Sequence, residues 1–202
     1  LDADRSASGL GTLLGLMPRG GTTRGGMMEA GAALVGALID AGVDTAFTVP
    51  GESFLAVLEA LRLNRNRVRL VSVRQEGGGT LAANAYGAIR GAPAAVFVSR
   101  GPGATNASIG LHTAHQDSVP MVLFIRPVRS LLPGREGFQE IDPPCAFSSM
   151  SKAGFSPKAP PEMSPLARLP VEISFSGLPC PVFFVMPRSF SSVDVAPAPE
   201  EG

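Results

Sequence analysis

The sequence carries little charge, little cysteine and no long apolar run. Only 17% of its 202 residues are charged, and 17 basic side chains balance 17 acidic ones. A formal net charge of zero gives no reason to expect binding to nucleic acid or to an anionic membrane surface. The longest apolar runs have the length of β-strands, which is too short to cross a bilayer. The chain is nevertheless long enough, with 45% apolar residues, for one α/β domain with its own core.

Few residues are suited to disulfides or metal sites. The two cysteines, Cys145 and Cys180, lie beside prolines, and their number predicts free thiols and a cytoplasmic location. His112 and His115 are three apart on a predicted helix and would share a face. Asp117 is the nearest carboxylate, and no set of ligands at convincing spacing is completed, so we predict no metal site in this chain.

Common catalytic signatures are also missing. There is no Walker A lysine and no G-x-S-x-G nucleophile motif. The segment G-P-G-A-T-N at residues 101–106 begins like a dinucleotide fingerprint, but Asn106 stands in place of the third glycine. From the residues alone, a tight turn between strand and helix explains this segment as well as a phosphate loop does.

Helical and strand patterns alternate along the chain. This order predicts one α/β domain with a mainly parallel, doubly wound sheet in a three-layer α/β/α arrangement. We place the domain at residues 27–190, with a Gly-rich disordered tail at 1–26 and a second disordered tail at 191–202. Within it, residues 143–170 hold many prolines, which exclude a continuous helix there.

Glu76 is the most informative residue. It follows a predicted buried strand at residues 68–73 and precedes a run of three glycines. The next strand, 94–99, ends in the G-P-G segment, and we interpret these as two adjacent strand ends bordering one crevice, where open α/β sheets place ligands. As a single residue, Glu76 is better interpreted as a carboxylate that stabilises a helix N-terminus than as a catalytic group.

Five segments in order change this balance. They are T-V-P-G-E-S (48–53), R-Q-E-G (74–77), R-G-P-G-A-T-N (100–106), D-S-V-P (117–120) and F-Q-E (138–140). Together they resemble the N-terminal, pyrimidine-binding domain of thiamine diphosphate enzymes, in particular that of acetolactate synthase and its relatives. The resemblance covers about residues 29–155 and returns at 176–182.

The resemblance implies a role for each matched residue. Glu76 would hydrogen-bond N1′ of the aminopyrimidine and promote the imino tautomer, whose 4′-nitrogen removes the thiazolium C2 proton; the resulting ylid attacks a 2-oxo acid. The remaining positions surround the cofactor and substrate: Pro50 and Gly51 in the turn beside the cofactor, Pro102 and Asn106 along the pyrimidine, and Phe138 and Gln139 on the substrate side.

The departures from the family are informative too. Gln75 replaces the histidine that usually precedes the glutamate, and the sequence has no Gly-Asp-Gly. Family members bind the diphosphate and Mg²⁺ through a second domain with a G-D-G…N motif. The resemblance therefore implies that this chain supplies half of a lyase or transferase site and requires a diphosphate domain in trans. A homodimer is compatible with it, and no residue here establishes the use of FAD.

Two other functions remain open at this stage. The chain is alternatively a truncated or degenerate domain, without catalysis, that acts as a folding or interaction module; the Pro-rich stretch favours this reading. A nucleotide-binding Rossmann domain would need the missing third glycine and an acidic residue after a second strand.

Overall fold

The computed structural model describes residues 28–128, 134–157, 166–186 and 194–195. The elements in chain order are β1 (Met28–Glu29), α1 (Ala30–Asp40), β2 (Thr45–Thr48), a 3₁₀ turn (Glu52–Phe54), α2 (Leu55–Leu63), β3 (Arg69–Ser72), α3 (Glu76–Arg90), β4 (Ala94–Ser99), α4 (Arg100–Gln116), β5 (Met121–Arg126), α5 (Pro143–Phe147), a 3₁₀ turn (Ser148–Met150), β6 (Ala153–Phe155), α6 (Arg168–Phe175), β7 (Val182–Val185) and β8 (Asp194–Val195). Among the described helices, none has both the length and the apolar character needed to cross a bilayer.

Six of these strands form one parallel sheet in the order β3-β2-β4-β5-β7-β6. Helices α1, α2 and α6 cover one face, and α3, α4 and α5 cover the other. The central strand β5 is buried along its whole length, as a strand covered on both faces must be. On one face, Phe97 stacks on Phe124 with ring centroids 4.9 Å apart. The predicted three-layer α/β/α fold is therefore confirmed.

The strand order places a topological switch point between β2 and β4. From β2 the chain moves to β3 at the edge, and it then returns to β4 on the opposite side of β2. The connections leaving β2 and β4 therefore diverge, and in open α/β sheets a ligand crevice forms outside such a pair of carboxyl ends.

Two expectations about strands β3 and β4 are wrong. They are not adjacent, because β2 pairs with both of them and lies between them. Strand β3 is also not fully buried: it is the edge strand, and its two end residues are exposed while its two middle residues are half-buried. Its apolar residues at 70 and 71 cover the flank of the core rather than its centre.

The G-P-G segment lies inside a helix rather than in a turn before one. Helix α4 begins at Arg100, whereas the sequence pattern predicts a helix that starts near Asn106. Pro102 is its third residue, where the backbone nitrogen has no partner within the helix, so a proline is tolerated. The glycines on either side of Pro102 are buried, which lets this first turn lie close to its neighbours.

The Pro-rich stretch contains more regular structure than its composition predicts. Pro143 and Pro144 open the short helix α5, which the Asp142 side chain caps by accepting from the Cys145 N–H at 3.4 Å. Strand β6 and the eight-residue helix α6, which starts at Arg168, were not predicted. The predicted tail at 1–26 lies outside the described residues. Of the tail at 191–202, Asp194–Val195 pairs antiparallel with Met28–Glu29.

Helices α3 and α4 lie in unusually close contact. The Thr80 hydroxyl of α3 donates to the carbonyl oxygen of Ala107 in α4 at 3.1 Å. A Cβ atom built on Gly110 would lie 2.3 Å from the Thr80 Oγ1, and one built on Gly77 would lie 3.0 Å from the Asn106 carbonyl oxygen. The glycines therefore allow an approach that any side chain would prevent, and this approach brings the start of α3 beside α4.

A glycine substitution tests this helix contact. We expect Gly110→Ala to lower the free energy of unfolding by about 1–3 kcal/mol, because the new methyl group overlaps Thr80. The matched control is Gly36→Ala in α1, where nothing lies within 4 Å of the added carbon. There the same change should raise stability by about 0.5–1 kcal/mol. Urea denaturation measures both, and a stabilised Gly110→Ala variant would contradict the described packing.

The other end of α3 is tied to the start of β2. Tyr86 donates a hydrogen bond to Asp44, and Arg90 lies 3.3 Å from the second carboxylate oxygen. The Tyr86 hydrogen bond is the main reason why the pKa of Asp44 lies below its ordinary value. Partial burial opposes this effect, and the smaller contributions of Thr45 and Arg90 lower the pKa further.

This pair predicts a pH dependence of stability. Because the pKa of Asp44 is lower when folded, its contribution is fully present above the unfolded value of about 3.8 and disappears as the pH falls through the folded value. We expect Tyr86→Phe to lower the free energy of unfolding at neutral pH by less than about 1 kcal/mol, since the Asp44 side chain that accepts the Tyr86 hydrogen bond is exposed to solvent. Urea denaturation at several pH values should show this loss shrinking below about pH 3.8. In an Asp44→Asn background the Tyr86 change should have no pH-dependent component.

Candidate active site

Glu76 is the first residue of helix α3, at the edge of the switch-point crevice. Gln75 precedes it with extended backbone and caps the helix, its side-chain oxygen accepting from the Gly78 N–H at 2.9 Å. The sequence left open what Gln75 contributes in place of the family histidine. The structure assigns it a local purpose: it fixes the first turn and hence the direction in which Glu76 leaves the helix.

The Glu76 carboxylate is half-buried and is oriented by Asn106. The Asn106 Nδ2 donates to Oε2 of Glu76 at 3.0 Å, across the contact between α3 and α4. Within the described part of the chain, Oε1 receives no hydrogen bond. A Cβ built on Gly103 would lie 3.2 Å from Oε1, so the glycine keeps the space beside this oxygen open. One oxygen is thus held by the protein, and the other can accept or share a proton with a ligand.

The opposite side of the crevice offers a hydroxyl. Ser99, at the carboxyl end of β4, has a buried Oγ with no hydrogen-bond partner among the described residues. A Cβ built on Gly51, in the loop after β2, would lie 3.5 Å from this Oγ. A buried hydroxyl without a partner marks a place where a polar group of a ligand can bind. The loop of Pro50 and Gly51 and the start of α4 therefore border a space with unsatisfied hydrogen-bonding capacity.

These features fit the aminopyrimidine half of thiamine diphosphate. A ring with nitrogen donors and acceptors suits a carboxylate that has one unoccupied oxygen, together with a nearby unsatisfied hydroxyl. The structure brings together Glu76 and Asn106, and separately Gly51 and Ser99. Pro102 is exposed in the first turn of α4. Ser99 was not among the predicted site residues, because a serine at the end of a strand has no sequence signature.

Phe138 and Gln139 lie on a separate segment that contacts the start of α4. The Gly101 N–H donates to the Gln139 carbonyl oxygen at 2.9 Å, and the Arg100 guanidinium donates to the Gln139 side chain at 3.2 Å. Phe138 is 80% exposed, an unusual position for an aromatic ring within a single domain. Within the described part of the chain, no hydrogen bond joins either residue to Glu76, so their substrate-side placement stays a prediction.

A cavity of about 390 Å³ opens at the carboxyl ends of β2, β4 and β5. This volume suits a small organic molecule. Its wall combines both signs of charge with apolar surface: Glu52, Ser53, Leu55, Ala56, Arg100, Arg126 and Pro127. Glu76 is not part of this wall, so the cavity adjoins the crevice as a distinct space.

The two histidines do not lie together at the crevice. His115 Nδ1 is 3.0 Å from Cys180 Sγ, and burial raises the pKa of the Cys180 thiol while Lys152 lowers it to a smaller extent. In the described ranges, no group of three or more metal-ligating side chains comes together. Cys145 is exposed and is also a free thiol.

Comparison with known proteins identifies the family of this chain. The sequence profile described as "Thiamine pyrophosphate enzyme, N-terminal TPP binding domain" matches residues 28–145. The chain belongs to this family. The match begins at β1 and ends within α5, so it includes the switch-point crevice, Glu76, Asn106 and the segment that carries Gln139.

Relatives with this domain are acetolactate synthase subunits. The chain is 34% identical over 177 residues to the acetolactate synthase large subunit of Parasynechococcus marenigrum, which covers 84% of this chain and 29% of the relative. It is 30% identical over 158 residues to the large subunit of Lactococcus lactis, covering 78% and 27%. For the mitochondrial catalytic subunit of Saccharomyces cerevisiae the identity is 33% over 150 residues, covering 74% and 22%. The chain thus spans less than a third of the length of these relatives.

A like-charge substitution tests whether Asn106 and Glu76 are as close as described. We expect Asn106→Asp to be less stable than Asn106→Ala by up to about 1 kcal/mol at low salt, because two carboxylates would face each other. The part of this stability difference that comes from the two charges should nearly vanish at about 1 M salt, because the screening length is then about 3 Å.

The control for this prediction is the same pair of substitutions in a Glu76→Gln background. Without the Glu76 charge, the Asp and Ala variants should have salt-independent differences in unfolding free energy. If the lower stability of Asn106→Asp relative to Asn106→Ala changed neither with salt nor in the Glu76→Gln background, the two side chains would not interact.

Proposed function

We propose that this chain binds the aminopyrimidine half of thiamine diphosphate and supplies Glu76 as the activating carboxylate of a 2-oxo acid decarboxylase or carboligase. The observation that carries the proposal is the Asn106–Glu76 hydrogen bond, which leaves one carboxylate oxygen available at a switch-point crevice. Membership of the thiamine pyrophosphate enzyme family supports the identity of the cofactor. Similarity to acetolactate synthase subunits supports the reaction class.

Glu76 would act by holding a proton. The cofactor, when bound, supplies a carbon nucleophile and an electron sink for decarboxylation. Oε1 of Glu76 would share a proton with N1′ of the pyrimidine, while Asn106 would keep the carboxylate in a single orientation through its hydrogen bond to Oε2. Gly103 leaves room beside Oε1, and Gln75 holds the first turn of α3 in place. Pro50, Gly51 and Pro102 would line the ring, and Phe138 and Gln139 would face the substrate.

A second domain would complete this site. The 202 residues contain no Gly-Asp-Gly, the motif by which the family binds Mg²⁺ and the diphosphate. The relatives are more than three times longer than the matched segment, which supports a partner domain supplied in cis or in trans. The exposed Phe138 ring is the kind of surface that such a domain would cover.

A non-catalytic interaction module is the alternative. The feature that favours it is the proline density between α5 and α6, together with an α6 of only eight residues before the last central strand. Under this alternative the fold would persist while Glu76 had no effect on any bound cofactor.

Proton exchange at the cofactor distinguishes the two. The chain is mixed with the isolated diphosphate-binding domain of an acetolactate synthase, Mg²⁺ and thiamine diphosphate, and the exchange rate of the C2 proton in deuterium oxide is measured by acid quench and NMR. We expect exchange faster than for the free cofactor, and a loss of roughly a hundredfold or more in Glu76→Gln, the range for removal of a general acid–base group.

Glu59→Gln is the matched control, since Glu59 is an exposed carboxylate that pairs with Arg62 on helix α2. It should leave the exchange rate unchanged. If wild type and Glu76→Gln accelerated C2 proton exchange equally in the mixture, the result would contradict the role of Glu76. An absence of acceleration with a demonstrably folded chain and an assembled mixture would favour the non-catalytic module.

A further inference from the structure

Arg100 has a backbone conformation that needs support from its surroundings. Its φ is 56°, in the left-handed region that residues other than glycine rarely adopt. It lies where β4 ends and α4 begins, directly before the buried Gly101. Such a conformation persists only where neighbouring contacts hold it, and residues of this kind cluster at ligand sites.

The Arg100 side chain joins two loops at the mouth of the crevice. Its Nη2 donates to Oε1 of Glu52 at 2.9 Å, and Glu52 directly follows the predicted cofactor turn of Pro50 and Gly51. Its Nη1 donates to Oε1 of Gln139 at 3.2 Å. One planar guanidinium therefore fixes the loop after β2 relative to the segment that carries Phe138 and Gln139.

That segment is held together by its own hydrogen bonds. Within it, the Glu140 carboxylate accepts from the N–H groups of Gly134 at 3.1 Å and Gly137 at 2.9 Å. Two hydrogen bonds to Gln139 attach it to the start of α4, one from the Arg100 side chain and one from the Gly101 N–H. A Cβ built on Gly101 would lie 2.8 Å from the Gln139 carbonyl oxygen, so the two backbones are in direct contact.

We propose that Arg100 is a positioning residue that holds the segment of residues 134–142 against the crevice and thereby sets where Gln139 and Phe138 meet the substrate. The holding role rests on the contacts just described. The consequence for substrate rests on the proposed function. Arg100 also forms part of the wall of the 390 Å³ cavity, so its removal would widen the space beside Gln139.

Hydrogen exchange of the full chain, read by mass spectrometry, tests the holding role without any cofactor. We expect Arg100→Ala to accelerate amide exchange in peptides from residues 134–142 by roughly three- to tenfold, on the order of the loss of one solvent-accessible hydrogen bond from a charged donor and one exposed ion pair. Peptides from the core strands β4 and β5 should exchange as in the wild type. Arg100→Lys, which keeps the charge but lacks the planar fork, should recover part of the protection.

Two further variants separate the side chain from the backbone. Arg100→Gly removes the same contacts but relieves the left-handed conformation, so it should accelerate exchange as Arg100→Ala does. Arg62→Ala removes an exposed arginine with its own ion pair to Glu59 and should change nothing in residues 134–142. Exchange at the wild-type rate in Arg100→Gly would overturn the proposal, whether or not exchange in Arg100→Ala is faster.

The assembled mixture supplies the readout that a purely structural role would not move. With pyruvate as the test 2-oxo acid, Arg100→Ala should raise KM by roughly tenfold and change the affinity for thiamine diphosphate by a much smaller factor, with partial rescue in Arg100→Lys. Faster exchange together with an unchanged KM would overturn the consequence for substrate. A wild-type mixture without turnover would count against the proposed function, while the exchange result would still decide whether Arg100 holds the segment.

Discussion

The close contact between helices α3 and α4 is the constraint on which the candidate site depends. Glu76 and Asn106 are 30 residues apart and belong to different helices, yet a 3.0 Å hydrogen bond joins them. That bond requires the helices to approach as closely as Gly110 and Thr80 permit. Replacing small residues with larger ones along this contact would separate the carboxylate from its partner. The packing of glycines in the core and the chemistry of the crevice are therefore consequences of one arrangement.

Several groups at the candidate site have no partner among the described residues. The orienting contacts of Glu76 come from within the chain, whereas one of its oxygens, the Ser99 hydroxyl and the Phe138 ring have no partner among the described residues. A chain that spans less than a third of its acetolactate synthase relatives leaves ample sequence for a covering domain. The organisation of the crevice thus agrees with a shared site, in which this domain orients the pyrimidine and another part of the assembly holds the diphosphate.

The fold and the family could be predicted from the sequence, because alternating helix and strand patterns specify a parallel sheet and the G-P-G-A-T-N and R-x-E-G segments are specific. Spatial relations could not. Strand order is set by crossovers, and so the sequence did not reveal that β2 separates β3 from β4. The helical start at Arg100 was missed because Gly-Pro-Gly has low helix propensity, although a proline in the first turn does no harm. Helix α6 was missed because Pro170 within it and the prolines before it suppress the local helical pattern. The surroundings of Ser99 and the contacts of Arg100 depend on tertiary structure alone.

Isothermal calorimetry tests the central claim most directly. The chain is titrated with thiamine diphosphate and Mg²⁺, alone and together with the diphosphate-binding domain of an acetolactate synthase, and Glu76→Ala is the control. The shared-site account predicts binding that requires the added domain and weakens in the variant. Binding to the mixture that is equally tight with Glu76→Ala, or no heat in any mixture from a chain shown to be folded and paired, would contradict it.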